Sequence, residues 1–159
     1  MRILVIEDSI RLADTISDAL KKENYLVDSV YDGLSGYDNA ASDIYDIVIL
    51  DLMLPKMNGY DVLSKLRKTG HNVPVIILSA KTELEDKLLG FMNGADDYVT
   101  KPFEIQELLM RIQAICRRNL NQNPSLLQEG NLLLDLDSCE LKNSDTEKSM
   151  KISGKELQL

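Results

Sequence analysis

The sequence predicts an α/β fold in which helices cover both faces of a doubly wound parallel β-sheet. One observation is the run of four apolar residues from Ile47 to Leu50, three of them β-branched, which ends at Asp51. Such runs are typical of strands that are buried on both faces of a sheet. The other observation is that similar apolar runs alternate along the chain with amphipathic segments. This alternation predicts parallel strands that are joined by right-handed helical crossovers.

Five strands are predicted, of which four are short apolar runs that end at a polar residue. They are Ile3 to Ile6, Leu26 to Val30, Ile47 to Leu50, Val75 to Leu78 and Tyr98 to Thr100. Apolar residues at helical spacing follow each run, which predicts one amphipathic helix after each strand. These apolar stripes are Leu12, Ile16, Ala19 and Leu20; Leu34, Tyr37 and Ala41; Val62, Leu63 and Leu66; Leu84, Leu88 and Phe91; and Ile105, Leu108, Leu109, Ile112 and Ile115.

Five β-α units of this kind fit a flavodoxin-like sheet with the strand order 2-1-3-4-5. In that order the first, third, fourth and fifth strands are successive neighbours, about 4.8 Å apart. The polar residues that follow these strands therefore meet at one edge of the sheet. They are Asp8, Asp51, Ser79 and Lys101. Open α/β sheets bind their ligands at this edge, so we expect the functional site there.

Three carboxylates, those of Glu7, Asp8 and Asp51, are expected in this site. Their mutual repulsion would raise their pKa values unless a cation is bound. Oxygen ligands without His or Cys favour Mg²⁺, with Mn²⁺ as the alternative. The ammonium group of Lys101 and the hydroxyl group of Ser79 are suited to contact phosphoryl oxygens. Together these groups predict a phosphoryl-transfer site whose nucleophile is an aspartate.

The composition limits the location and the partners of the protein. Of the 159 residues, 44% are hydrophobic, which is enough for a core. No apolar run approaches the ~18 residues of a membrane span, and the first strand runs into Glu7 and Asp8 instead of a signal-peptide cleavage region. A cytoplasmic protein without membrane contact is therefore expected. The formal net charge of −8 argues against a broad nucleic-acid-binding face.

A second unit is predicted toward the carboxyl end of the chain. Residues 119–125 are polar and contain Pro124, as is typical of a linker. Short strands are expected around Leu132 to Leu134, Cys139 to Leu141 and Met150 to Ile152. Ser153 and Glu156 have the spacing of a capping box, which predicts the start of a helix. Residues 126–159 are thus expected to form a short, incomplete β-rich segment.

Several segments closely resemble the receiver domains of two-component response regulators. They are Glu7-Asp8, Asp51 to Pro55 with Asn58-Gly59, Ser79 to Lys81, and Gly94 to Phe103. The resemblance covers residues 1–118 and implies the CheY-like form of the flavodoxin-like fold. Within residues 126–159, the part from Asn131 onward resembles the opening β-sheet and first helix of the winged-helix effector domain of the OmpR/PhoB class.

The resemblance implies that Asp51 accepts a phosphoryl group from a phosphohistidine of a sensor histidine kinase. Lys101 would pair with the phosphoryl group, and the peptide bond between Lys101 and Pro102 would be cis. Ser79 and Tyr98 would move as a switch. The metal ligands would be Asp8 directly, Glu7 through water, Asp51, and the backbone carbonyl of Met53. The protein would then be a signalling protein that accepts a phosphoryl group, and not a multi-turnover enzyme.

The resemblance also implies an output through dimerisation and transcription. Receivers of this class form two-fold dimers through the fourth helix, the fifth strand and the fifth helix. The charged residues at the corresponding positions are Lys87, Asp96, Asp97, Glu107, Arg111 and Arg118. Specific binding to promoter DNA is expected only for a longer chain that contains the recognition helix of the winged-helix domain. The alternative is a stand-alone receiver that acts through protein contacts.

Other proteins that handle phosphate fit the sequence less well. A flavodoxin-like FMN carrier has a Ser/Thr/Gly-rich loop after the first strand, where this chain has Glu7 and Asp8, which would repel a phosphate in the absence of a metal. A phosphohydrolase of the haloacid-dehalogenase type has a second acid two residues after its nucleophile, where this chain has Met53. The GxxxxGK pattern of a nucleotide-binding P-loop does not occur in the sequence.

Overall fold

The structure, a computed structural model, describes residues 1–122 and the segments 126–129, 132–135, 140–143 and 148–151, with side chains described through residue 118. The chain divides into two compact units, Met1–Ile115 and Cys116–Leu159. The first contains a five-stranded parallel sheet in the order β2-β1-β3-β4-β5. The elements are β1 (Arg2–Ile6), α1 (Ile10–Lys22), β2 (Leu26–Val30), α2 (Gly33–Ala40), β3 (Ile47–Leu50), α3 (Gly59–Lys68), β4 (Val75–Ser79), α4 (Leu84–Met92), β5 (Asp97–Thr100) and α5 (Ile105–Gln122). The predicted fold class and strand order are confirmed.

The central strands of the sheet carry almost only buried apolar side chains. All four residues of β3 are at most 1% exposed, because helices cover both faces of the sheet. Ile6 is in register with Leu50, and Leu50 with Ile77. The strands therefore end nearly level at their carboxyl ends, and the residues that follow them are brought to the same edge of the sheet.

Side-chain caps begin the first three helices. Ser9, Asp32 and Asn58 each accept a hydrogen bond from the backbone N–H group three residues later, at the starts of α1, α2 and α3. Glu83 precedes α4 and makes no such bond. The start of α4 therefore lacks a local stabilising contact that α1, α2 and α3 possess.

The apolar stripe that was predicted for α2 packs against the core only in part, because Tyr37 and Ala41 are half-buried against it and Leu34 is not. Leu34 is 46% exposed, whereas Gly33, Gly36 and Ala40 are buried. A Cβ atom on Gly36 would lie only 2.7 Å from Cγ2 of Ile6. The helix thus packs closely on the sheet through its small residues, and this close approach turns Leu34 outward.

The stripe that was predicted for α4 is likewise exposed to solvent. Leu84, Leu88 and Phe91 are 70%, 51% and 46% exposed. The residue of α4 that is buried is Gly90. A Cβ atom there would lie 2.8 Å from Cδ1 of Ile77, so the helix contacts the sheet through a residue without a side chain. The helix itself was predicted correctly, but the direction of its apolar face was wrong.

A largely buried guanidinium group ties α3 to the amino-terminal ends of β4 and β5. Arg67 donates through Nη2 and Nε to the carbonyl oxygen of Gly94, at 2.9 and 3.2 Å, and through Nη1 to the carbonyl oxygen of His71 at 2.8 Å. Its Nη2 also lies 3.3 Å from Oδ2 of Asp96. The same carboxylate oxygen accepts the N–H group of Val75 at 2.9 Å. One side chain thus fixes two loops at the edge of the sheet opposite the polar strand ends.

The second unit contains a four-stranded antiparallel sheet. Its strands are β6 (Leu126–Glu129), β7 (Leu132–Asp135), β8 (Glu140–Asn143) and β9 (Lys148–Lys151), in that order. The three predicted strands are present within a residue or two, whereas β6 was not predicted. The predicted linker starts later than residue 119, because α5 continues through Gln122. In the sequence, Pro124 is the first residue after Arg118 that disfavours a helical backbone. The helix predicted at residues 153–159 lies outside the described residues.

Candidate functional site

Three carboxylates meet at the carboxyl edge of the parallel sheet. Glu7 and Asp8 follow β1, and Asp51 follows the neighbouring strand β3. One carboxylate oxygen of each residue lies within 4.8 Å of one oxygen of each of the others. Glu7 and Asp51 are 2% and 5% exposed, whereas Asp8 is exposed. The predicted cluster thus exists as one pocket with two buried acids and one that faces solvent.

The side chain of Lys101 reaches this pocket from the end of β5. Its Nζ atom lies 2.9 Å from Oε2 of Glu7 and 3.2 Å from Oδ2 of Asp51. The backbone N–H group of Lys101 donates to the carbonyl oxygen of Ser79 at 2.8 Å, which fixes the start of the loop after β5. The following peptide bond, from Lys101 to Pro102, is cis. The lysine therefore bridges two acids that come from two different strands.

The ionisation of these groups is strongly coupled. Burial raises the pKa of Glu7 to about 7, and the nearby Asp51 adds to this effect, while Lys101 opposes it. Burial alone would lower the pKa of Lys101, but the two carboxylates outweigh it and the net shift is upward. Three carboxylates face one ammonium group, so the pocket retains an excess of negative charge. This donor set, made of oxygen atoms only, fits a hard divalent cation.

The backbone around Asp51 holds its carboxylate in place. Oδ1 of Asp51 accepts the N–H group of Met53 at 3.2 Å, which leaves Oδ2 facing Lys101. The side chain of Met53 is 63% exposed, and the predicted role of its backbone carbonyl as a metal ligand stays a prediction. Gly59 packs on the backbone of Asp51 and Leu52 so closely that a Cβ atom would collide with the carbonyl oxygen of Asp51. Gly59 is therefore needed for the close fit of α3 against the acidic strand end.

Ser79 and Tyr98 lie on the neighbouring strands β4 and β5 and both form a hydrogen bond with the backbone of Lys81. Ser79 is fully buried at the end of β4, and its Oγ accepts the N–H group of Lys81 at 3.2 Å. The hydroxyl group of Tyr98 donates to the carbonyl oxygen of Lys81 at 2.7 Å. The ring of Tyr98 is 7% exposed, and burial raises the pKa of its hydroxyl group. Tyr98 thus has an inward position that is fixed by a hydrogen bond.

Lys81 contacts both predicted switch residues, although the sequence pattern gave it no role of its own. Its ammonium group lies 5.6 Å from the centre of the Tyr60 ring, a cation–π distance. The signal for Lys81 was its place in the segment Ser79 to Lys81 that resembles receiver domains, which assigned it no contact. The contacts that it makes depend on backbone groups and on ring positions that apolar periodicity does not describe.

The charged residues of the predicted dimer face pair partly within the chain. Nη1 of Arg111 lies 2.9 and 3.0 Å from the two carboxylate oxygens of Asp97, and Nη2 lies 3.2 Å from Glu107. This contact with Asp97 raises the pKa of Arg111. Asp96 is engaged with Arg67. Lys87 and Arg118 complete the predicted set, on α4 and α5. Pairing of these six residues between two chains stays a prediction.

Comparison with known proteins identifies the family of the chain. A family model described as the response regulator receiver domain matches residues 3–113. The transcriptional regulatory protein CiaR of Streptococcus pneumoniae is 42% identical over 159 residues, which are 100% of this chain and 70% of CiaR. The response regulator ArlR of Staphylococcus aureus is 41% identical over 151 residues, 92% of this chain and 68% of ArlR.

Solved structures have the same fold. The receiver domain of the Francisella response regulator 1452 is 35% identical, with a TM-score of 0.72 over 74% of this chain and 98% of that domain. The non-phosphorylated HemR receiver domain of Leptospira biflexa is 31% identical, with a TM-score of 0.67 over 72% of this chain and 92% of that domain.

Proposed function

The chain belongs to the response regulator receiver family, and from this membership we propose that Asp51 accepts a phosphoryl group from the phosphohistidine of a sensor histidine kinase. The observation that carries the proposal is the convergence of Asp51 with two further carboxylates and Lys101 at one edge of the sheet. A carboxylate held beside an ammonium group in this way suits a phosphoryl acceptor, because the carboxylate is the nucleophile and the ammonium group can offset the charge of the transferred group.

The proposed transfer is a single displacement at phosphorus, to which the protein contributes the nucleophile and its surroundings. Oδ2 of Asp51 attacks the phosphorus atom, the bond from phosphorus to the imidazole nitrogen breaks, and the imidazole leaves with the electron pair. Lys101, 3.2 Å from this oxygen, is placed to pair with the oxygens of the transferred group. Asp51 is held by the N–H group of Met53, so its orientation is set before the kinase arrives. The chain is the acceptor of the group and not a multi-turnover enzyme.

We further propose Mg²⁺, or Mn²⁺ in its place, as the cofactor. Asp8 would bind the ion directly and Glu7 through water, with Asp51 and the backbone carbonyl of Met53 as further ligands. The excess of carboxylates over ammonium groups and the exposure of Asp8 support this assignment. When bound, the ion supplies positive charge to the phosphoryl oxygens. Ser79 and Tyr98 are the residues that respond to phosphorylation in this proposal.

The proposed output is dimerisation through α4, β5 and α5, and regulation of transcription. Relatives such as CiaR are described as transcriptional regulatory proteins, and this chain spans 70% of the length of CiaR. Binding to promoter DNA is proposed only for a longer chain with a recognition helix. The alternative remains a stand-alone receiver that acts through protein contacts. The alternative would be favoured by a protein partner that binds residues 1–118 without the rest of the chain, and only when Asp51 is phosphorylated.

The location of the protein is also part of the proposal. In the described part of the chain, no helix combines the length and the hydropathy that a membrane span needs. A cytoplasmic location without a membrane partner rests on the sequence pattern alone. Fractionation of cells, followed by detection of the native protein, would test it.

Labelling of Asp51 tests the central proposal. Incubation with a small acyl phosphate and Mg²⁺ should attach an acid-labile phosphate to the protein, and a chelator should prevent it. Asp51→Asn should lose the label, because an amide cannot form the acyl phosphate. Asp61→Asn, at an exposed position of α3, is the matched control and should be labelled normally. Undiminished labelling of Asp51→Asn would contradict the assignment.

A further inference from the structure

The helix α4 is attached to the rest of the receiver by unusually few apolar side chains. Its apolar residues Leu84, Leu88 and Phe91 are largely exposed, and the residue that is buried is Gly90. Its start has no side-chain cap from Glu83. Because hydrophobic packing and capping usually fix a helix, the position of α4 must depend on other contacts.

One such contact comes from Tyr60, the second residue of α3. Its hydroxyl group donates to the backbone carbonyl oxygen of Asp86, in the first turn of α4, at 3.2 Å. Tyr60 directly follows Gly59, which packs on the backbone of Asp51 and whose N–H group donates to the carbonyl oxygen of Leu52 at 2.8 Å. The tyrosine therefore spans from the phosphoacceptor backbone to α4.

A second set of contacts brings Tyr60 and Tyr98 to the same loop. The ammonium group of Lys81 lies over the Tyr60 ring, while the carbonyl oxygen of Lys81 accepts the Tyr98 hydroxyl group. The N–H group of Lys81 donates to Ser79. The loop between β4 and α4 is thus held by one tyrosine from α3 and by another from β5.

We propose that Tyr60 is a positioning residue that links the backbone of the phosphoacceptor to the first turn of α4, alongside Tyr98. The inference rests on the proposed function, because it gives a path by which phosphorylation of Asp51 reaches the face that α4 presents. A shift of the Asp51 segment moves Gly59, and Tyr60 carries that shift to the carbonyl oxygen of Asp86. Replacing tyrosine by phenylalanine removes only this hydroxyl contact and keeps the ring under Lys81.

The structure offers a matched control in Tyr37. Its hydroxyl group lies 3.2 Å from Oγ1 of Thr69, and Nζ of Lys65 lies 4.2 Å from its ring centre. Tyr37 therefore has the same two kinds of contact as Tyr60, but it joins α2 to α3 and does not reach α4. Tyr37→Phe reports the cost of losing a tyrosine hydroxyl group elsewhere in the receiver.

Amide hydrogen exchange of the complete 159-residue chain tests the proposal. Without phosphorylation, Tyr60→Phe should speed exchange of the α4 amides by about two- to tenfold, the effect of one ordinary hydrogen bond. Tyr37→Phe should leave these amides unchanged. After treatment with a small acyl phosphate and Mg²⁺, Tyr60→Phe should be labelled like the wild type but should show a smaller change of α4 exchange. Its effect should be non-additive with that of Tyr98→Phe, because both hydroxyl groups hold one loop.

Each result decides a separate question. Unchanged α4 exchange in Tyr60→Phe, or an equal effect of Tyr37→Phe, would overturn the role of Tyr60. A full response of α4 to phosphorylation in Tyr60→Phe would overturn it as well. If the wild type takes no label, the proposed function is wrong, and the exchange of the unphosphorylated variants alone decides whether Tyr60 holds α4.

Discussion

Lys101 is the residue on which the charge balance of the acidic pocket depends. Its ammonium group is shared by Glu7 and Asp51, two carboxylates that are nearly fully buried. An unpaired charge in such a place is costly, which explains why burial raises the pKa of Glu7. A phosphoryl group on Asp51 would compete with Glu7 for this ammonium group. The pocket would then need a second cation, which is the role proposed for Mg²⁺.

A separate ionisable group predicts a pH dependence of stability away from the pocket. The hydroxyl group of Tyr45 donates to Oδ2 of Asp28 at 2.7 Å, and Arg2 binds the same oxygen at 2.8 Å. Burial, together with the adjacent Asp28, raises the pKa of Tyr45 to about 12. The folded state therefore binds the hydroxyl proton of Tyr45 more firmly than the unfolded state does. The resulting contribution to the free energy of unfolding is complete below pH ~10 and is lost as the pH rises toward 12.

The loss should amount to about 2–3 kcal/mol of unfolding free energy, at ~1.4 kcal/mol per pKa unit. Urea unfolding of the wild type and of Tyr45→Phe, measured from pH 8 to pH 12, should therefore show a difference that shrinks above pH 10. The phenylalanine variant also corrects for other groups that titrate in this range. A difference that stays constant across the interval would show that Tyr45 does not cause the dependence.

At the scale of the elements, the strands were predictable, whereas the face of α4 and part of the face of α2 were not. A run such as Ile47 to Leu50 is typical of a strand that is covered on both faces, and the alternation of such runs with helices predicted the strand order and the polar edge. The orientations of α2 and α4 depend on Gly36 and Gly90, where the absence of a side chain permits contact with Ile6 and Ile77. Apolar periodicity assumes that large side chains face the core, and here glycines do so instead.

The site was also predictable only in part, because its strand-end residues follow from the sheet and its other contacts do not. Strand-end residues such as Asp51 and Lys101 are placed by the backbone, and the sheet order alone brings them together. The role of Lys81 was not predictable, because it depends on its own backbone groups and on where the Tyr60 ring lies. The intrachain pair of Arg111 with Asp97 was also missed, since the same charges suit a contact between two chains.

The Arg67 contacts predict that one side chain stabilises a whole edge of the sheet. Arg67→Met should lower the unfolding free energy by about 2–3 kcal/mol, because the carbonyl groups of Gly94 and His71 would lose their side-chain donor and Asp96 would lose its ion pair. Lys68→Met, at the next and exposed position, should change it by less than ~0.5 kcal/mol. Urea denaturation of both variants measures this difference. Equal stability of the two would contradict the structural role of Arg67.

For the whole molecule, the first prediction concerns dimerisation after phosphorylation. Arg111→Glu would place three negative charges together, with Asp97 and Glu107, on the proposed α4-β5-α5 face. Each exposed pair contributes only ~0–1 kcal/mol, but several together should weaken the phosphorylated dimer by about 1–2 kcal/mol, or roughly five- to thirtyfold. Arg117→Glu, at an exposed position of α5, is the control. Light scattering would contradict the face if the Arg111 variant dimerised normally or the phosphorylated wild type stayed monomeric.

The last prediction concerns DNA. This 159-residue chain should not form a sequence-specific complex, whereas a chain extended by the rest of a winged-helix domain should. Residues 119–159 carry four lysines and seven acidic residues, a net charge of −3, which does not favour contact with phosphates. Recognition in helix-turn-helix proteins is by the second helix, and the eight residues after Lys151 fit only about two helical turns.

A mobility-shift assay with DNA from upstream of the protein's own gene tests both halves of this prediction, with unrelated DNA as competitor. Phosphorylation should not create specific binding in residues 1–159, since it adds negative charge and supplies no recognition helix. In the extended chain it should increase the affinity, because dimerisation places two recognition helices on neighbouring half-sites. A specific complex with residues 1–159 would contradict the first half. If the extended chain binds the upstream DNA no better than the competitor DNA, the stand-alone receiver is favoured instead.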